Sequence, residues 1–316
     1  MTHHDSVSSI DEKACNVDRK HLIFLIVKNI LTAFSIFEKV HLIKVGDKMT
    51  TIRIIVTDSS TKIDADAEGT VVVTASHGGV YSAYLVASLG VRATIFNDAG
   101  VGKDNAGIAG LQYLQDFGIP AAAIGHETAR IGDGKDMMER GVIRHVNDLA
   151  CSLGCKAGMS CRETATLLEK AQLVKVKPKL YVEARHLVIE GKTEAWCLDS
   201  ASLVLPEDRN RIVITGSHGG VLGGRAETAL KFDAVAALFN DAGMGMDKAG
   251  ISRLAVLDNR NIAAATVSSE SARIGDARST YLDGILSAVN GTAENFGGEV
   301  GMLARNFVEM IVRQSK

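Results

Sequence analysis

Apolar residues along this chain fall into short β-branched runs that alternate with longer stretches of helical period. Residues 54–57 and 71–74 are runs of Ile, Val and Thr bounded by turn residues, the pattern of buried strands. After Gly78-Gly79 a helical stretch reaches Leu89, Gly90 stops it, and residues 91–96 form the next strand, which ends on Asn97-Asp98. Ile108, Leu111, Leu114 and Phe117 then recur every three residues, with Asp104 as the expected helix cap and Gly118 as the stop. A third apolar run at 121–124 leads to Arg130 and Asp133, and Val142, Ile143, Val146, Leu149 and Leu153 predict one apolar helical stripe. This alternation predicts an α/β protein, a mostly parallel sheet with helices on both faces.

The pattern occurs twice. Thr74 to Asp133 carries TASHGG, FNDAG and ARIGD in that order, and Thr215 to Asp276 carries TGSHGG, FNDAG and ARIGD. His77 precedes Asn97 by 20 positions and His218 precedes Asn240 by 22, so one two-residue indel separates the copies within an intervening helix. Asp58-Ser59 also matches Asp199-Ser200, and Asn147 matches Asn290, which extends each unit to about 120 residues, a normal small-domain size. The reading is a tandem duplication, with a first repeat at 50–174 and a second at 193–316. The connection at 175–192 contains Pro178 and Gly191 and has room for a strand or short helix. Residues 1–49 belong to neither copy and read as a dispensable extension, disordered or non-native. A residue type kept in both copies answers a demand of the repeat unit, whereas one present once needs a local explanation.

Composition narrows the function classes. The 316 residues are 46% apolar with a net charge of −2, which suits a globular protein and gives no electrostatic footprint for nucleic acid. The apolar stretch at 21–37 is interrupted by Lys28 and Asn29 and is short for a membrane span. Asp5, Asp11 and Glu12 before it fit a signal peptide poorly, so no stable membrane insertion is expected; an amphipathic membrane-surface helix is the alternative. Of the five cysteines, Cys151, Cys155 and Cys161 align with Glu294, Gly298 and Ala304, so no chemistry shared by the copies depends on them. Free thiols point to a reducing, cytoplasmic setting.

All three repeated motifs follow a strand and precede a helix, which places them together at the carboxyl ends of the strands, where α/β sheets bind ligands. Ser76-His77-Gly78-Gly79 and Ser217-His218-Gly219-Gly220 read either as structural turns or as loops whose amides bind an anion or oxyanion. The histidines add proton transfer, substrate hydrogen bonding or metal ligation. Ser76 and Ser217 sit in a sequence near the nucleophile elbow but lack its first glycine. Asn97-Asp98 and Asn240-Asp241 end the next strand; capping explains one side chain of each pair, and Asp98 and Asp241 are left as candidate bases or ligands. P-loop and dinucleotide fingerprints both fail, because Asp104 follows Lys103 and position 105 is Asn. Arg130 with Asp133, and Arg273 with Asp276, are structural ion pairs or forks for a carboxylate or phosphate. His77, Asp98 and Asp133 would supply one nitrogen and two carboxylates to a divalent metal if their loops converge; no other cofactor is predicted.

In pattern the unit resembles the broad class of Rossmann-like and flavodoxin-like domains. The leading functional expectation is an enzyme acting on a small polar, carboxylate-bearing metabolite, a hydrolase of a C–N or ester bond. Histidine and aspartate would do acid–base work, and Arg and the glycine-loop amides would hold the anion. One alternative is an isomerase or racemase with a base from each repeat. The other is a small-anion-binding protein without catalysis.

Overall fold

The β-branched runs become strands because both of their faces are covered. The structure, a computed structural model, describes residues 39–45 and 48–315; the apolar stretch at 21–37 lies outside the described residues. Strands β2 (Lys48–Thr57), β3 (Val71–His77), β4 (Ala93–Asn97) and β5 (Ala121–Ile124) pair in parallel, and β6 (Ile143–Val146) runs antiparallel beside β5. Strand β1 (Lys39–Val45) folds back antiparallel on the outer edge of β2. A second sheet repeats this order. Strands β8 (Ala195–Leu198), β9 (Ile212–His218), β10 (Ala236–Asn240) and β11 (Ala263–Val267) are parallel, flanked by antiparallel β7 (Arg185–Ile189) and β12 (Leu286–Val289). Thus β1 falls within the 1–49 extension and β7 within the 175–192 connection, and each supplies the same edge.

Strand order is consecutive in both sheets. Successive crossovers of one hand then deliver their helices to one face, and α1 (Val80–Ser88) and α2 (Ala109–Asp116) pack there on Val72 and Phe96. Helix α3 (Gly134–Arg140), in the antiparallel return to β6, and α4 (Asp148–Ser152) and α5 (Cys161–Leu168), which follow β6, pack on the opposite face, on Val73 and Ile95. In the second sheet α6 (Arg253–Asp258) lies on one face, and α7 (Ala277–Leu282), α8 (Gly291–Asn295) and α9 (Ala304–Gln314) on the other. This is an α/β architecture of two mostly parallel mixed sheets flanked by helices. A consecutive order contains no reversal, the feature at which Rossmann and flavodoxin sheets bind their ligands. Among the described residues no helix is long and apolar enough to cross a membrane.

Three local expectations are corrected. The stripe from Val142 to Leu153 is not one helix: Ile143 is buried and Arg144 exposed on β6, and Asn147 ends the strand by accepting from Ala150 N–H at 2.9 Å to cap α4. Asp104 does not cap α2; its backbone is left-handed (φ 57°) and its carboxylate pairs with Arg273 at 2.9 Å. After His218, where the first half has α1, the second half makes two separate 3-10 turns, Leu222–Gly224 and Ala226–Thr228, with Gly223 and Gly224 at positive φ.

The motif-bearing edges of the two sheets meet. Ala99, Ile131, Ala242, Ala249 and Ile274 form a small core between them. Around it the contacts are reciprocal: Lys103 N–H donates to Ser269 O and Met246 N–H to His126 O, both at 2.8 Å. Arg273 pairs with Asp104, and Arg130 approaches Asp247 at 3.8 Å. At the centre Gly100 (φ 77°) and Gly243 (φ 71°) lie backbone to backbone, so that a Cβ on Gly100 would stand 2.9 Å from Gly243 Cα.

Gly100→Ala should therefore cost more than about 2 kcal/mol, since a left-handed alanine alone costs about 1–2 kcal/mol and the opposing backbone has nowhere to go. Gly158→Ala is the control, with φ 89° but nothing within 4 Å of its added Cβ. Thermal or urea unfolding should rank Gly100→Ala well below Gly158→Ala, and equal losses would refute a tight junction.

Candidate functional site

Strands β3 and β9 end on His77 and His218, and the junction turns the two ends toward each other. Both histidines line one cavity of about 330 Å³ built from both halves. His77 sits against Gly275, and His218 against Gly132, so each histidine meets the ARIGD loop of the other half. Each ring is pinned in the same way. Gly79 N–H donates to His77 Nδ1 and Gly220 N–H to His218 Nδ1, both at 3.1 Å. An Nδ1 that accepts leaves the proton on Nε2, and neither Nε2 bonds to a described residue. Burial pushes His77 down to about 4 and His218 well below the usual imidazole value, the latter also through Arg253 and His77. At neutral pH the pair are uncharged N–H donors.

The cavity walls are not symmetric. Arg253, at the start of α6, is buried, and its guanidinium donates to Gly220 O at 2.9 Å and to Ala229 O while lying over the Phe239 ring. These are neutral partners; among the described residues no carboxylate pairs with it. Burial lowers Arg253 to about 10, so it stays charged. Its counterpart is Gly110, where a Cβ would meet Gly78 O at 2.6 Å and Ala83 Cβ at 2.7 Å. The close α1–α2 packing of the first half is thus replaced in the second by an arginine reaching under the broken segment. Opposite in character is Glu183, from the connection, hydrogen-bonded to Tyr81 and raised to about 7 by burial, with Asp199 adding to the effect. Lys62 and Lys231 also line the cavity.

The other expected residues serve the scaffold. Gly78 N–H donates to Asn97 O and Gly219 N–H to Asn240 O, so with Gly79 and Gly220 on the histidines all four amides are occupied inside the protein. Ser76 and Ser217 line the cavity, but their hydroxyl oxygens accept from Ser60 N–H and Ala201 N–H at 2.9 Å, and neither bonds to a histidine. Asn97 and Asn240 are fully buried and tie their loops to Ala129 O and Ala272 O. Asp98 and Asp241 each accept two backbone amides, from Gly100 and His126 and from Gly243 and Ser269. Asp133 and Asp276 cap α3 and α7 through Asp136 N–H and Ser279 N–H. Arg130 bonds to Asp136 at 3.1 Å, and Arg273 to Asp104 and Asp276. None of these Asn, Asp and Arg residues lines the cavity. His77, Asp98 and Asp133 do not form a ligand set; among the described residues the set within reach of one ion is Asp98, His126 and Glu127.

Sequence reasoning missed Arg253, Glu183 and Tyr81. All three lack a counterpart of the same type in the other copy, so a filter built on repetition removes them. Two histidines with lowered pKa values also set an acid limit on stability. Above the unfolded value near 6.5 both states are neutral, and below it the unfolded chain gains protons that the fold excludes until about pH 4 for His77. Thermal midpoints should fall between pH 6.5 and 4, and His77→Gln should flatten that slope; an unchanged slope would mean the ring protonates freely in the fold.

No family model, no curated protein and no solved structure matches this chain, so what the cavity does is read from its own residues.

Proposed function

We propose that the protein is an enzyme that binds a small carboxylate-bearing metabolite in the shared cavity and hydrolyses a C–N or ester bond in it. The observation that carries this reading is the meeting, in one cavity, of two neutral histidine donors with a buried arginine that has no carboxylate partner among the described residues. An unpaired buried cation favours an anion strongly, because the low dielectric that penalises it alone rewards its pairing. Arg253 takes the role assigned in the sequence to Arg130, Arg273 and the glycine amides. His77 and His218 Nε2–H groups polarise the scissile carbonyl and hold the oxyanion, the use that a neutral imidazole serves best. Glu183, titrating near 7, is suited to draw the proton from the attacking water and to return it to the leaving amine or alcohol as the C–N or ester bond breaks. In this reading the cavity is the product of a tandem duplication whose copies have diverged at the walls.

The isomerase alternative requires the histidines to act as opposed bases. Rings that already carry Nε2–H and that burial pushes well below the usual imidazole value are weak bases, which favours hydrolysis. A non-catalytic anion binder would use Arg253 alone and leave Glu183 without a task.

The full chain should be incubated with a panel of small carboxylate-bearing amides and esters, with products followed by mass. Activity should rise with pH through about 7, and Glu183→Gln should remove that limb together with most of the turnover. Arg253→Lys should raise KM at least about tenfold, since a point charge replaces a fork. His77→Ala and His218→Ala should each lower kcat about a hundredfold, and half the turnover surviving in either would show two independent sites. Binding of the carboxylates without product would establish the binder.

A further inference from the structure

We propose that Asp98, His126, Glu127 and His145 form a binding site for one divalent transition-metal ion of the zinc type, apart from the shared cavity. Three of them already offer ligand atoms within 4.8 Å of one another. His126 Nδ1 stands 2.8 Å from Asp98 Oδ1 and 3.1 Å from Glu127 Oε2, while Arg144 holds the other Glu127 oxygen at 2.7 Å. One imidazole nitrogen and two carboxylates suit zinc and its neighbours.

A second observation points to the same place. Asp98 is fully buried, its Oδ1 takes three hydrogen bonds, and its Oδ2 takes none. His145 Nε2 is likewise buried and makes no hydrogen bond among the described residues, and it stands 3.7 Å from that oxygen. The gap is too wide for a hydrogen bond. It is close to the roughly 3.4 Å that separates two ligands on one tetrahedral zinc at about 2.1 Å each. Two buried polar atoms left facing each other are costly unless something lies between them.

The second half lacks the site. Asp241 accepts from Ser269 N–H and Gly243 N–H as Asp98 does from His126 and Gly100, but the positions of His126 and His145 hold Ser269 and Ala288. The same cage therefore folds without histidines. None of the four residues lines the cavity, and His126 O accepts Met246 N–H across the junction, so the ion would brace the two halves.

The test is titration of the metal-stripped full chain with Zn²⁺ by calorimetry. Wild type should take up one equivalent more than His126→Ser, which installs the residue of the corresponding position, and His145→Ala should weaken that equivalent at least about tenfold. Saturating Zn²⁺ should raise the thermal midpoint of wild type and not that of His126→Ser. Equal uptake by wild type and both variants, with each variant folded by circular dichroism, would overturn the proposal.

Discussion

Everything distinctive about this molecule depends on one close approach, the backbones of Gly100 and Gly243 at the junction of the two sheets. Side chains at these positions would hold the edges apart, and the histidines would then no longer share one cavity. The flanking loops are built for that approach at some conformational cost: Ala99, Val101, Ala242 and Met244 all lie at positive φ, a region that L-residues occupy rarely and with strain. Gly107 and Gly250 let each loop close, since a Cβ there would fall 2.2 and 1.9 Å from Asp98 O and Asp241 O. Motifs repeated in both copies are thus explained largely by docking. Their asparagines, aspartates and arginines hold the loops, cap helices and cross the junction in ion pairs.

Of those motifs the histidines, the serines and Gly275 reach the cavity, and burial decides what the histidines can do there. A ring whose Nδ1 is already engaged by a glycine amide and whose charged form is disfavoured cannot serve as a base near neutrality. It can donate. In the proposed hydrolysis, proton transfer then falls to Glu183, held near 7 by its own burial, and the positive charge of the cavity to Arg253, with Lys62 and Lys231 at the wall.

How much could be read beforehand divides along physical lines. Parallel strands, with both faces covered, show as β-branched runs, and the carboxyl-edge position of the motifs follows from strand–helix alternation. The short stretch around Val142 to Leu153 misled because apolar spacing over a few residues fits either period, and an asparagine cap decided the matter. His126 and His145 have Ser269 and Ala288 at the corresponding positions of the second copy, and Arg253, Glu183 and Tyr81 likewise lack counterparts of their own type, so a filter built on repetition passes over all five. Repetition reports what the frame requires, and a site assembled from unlike walls is invisible to it. Glu183 meets Tyr81 through a connection whose course no periodicity encodes.

The replacement of a helix by two short turns after His218 has a consequence for any occupant. A cavity with two matching walls would accept a ligand in two equivalent orientations, one on each histidine. Here a cation stands on one flank and a titrating carboxyl belongs to another segment, so the two orientations differ in energy. The paired histidines supply the donors, and the unlike segments that follow them supply handedness.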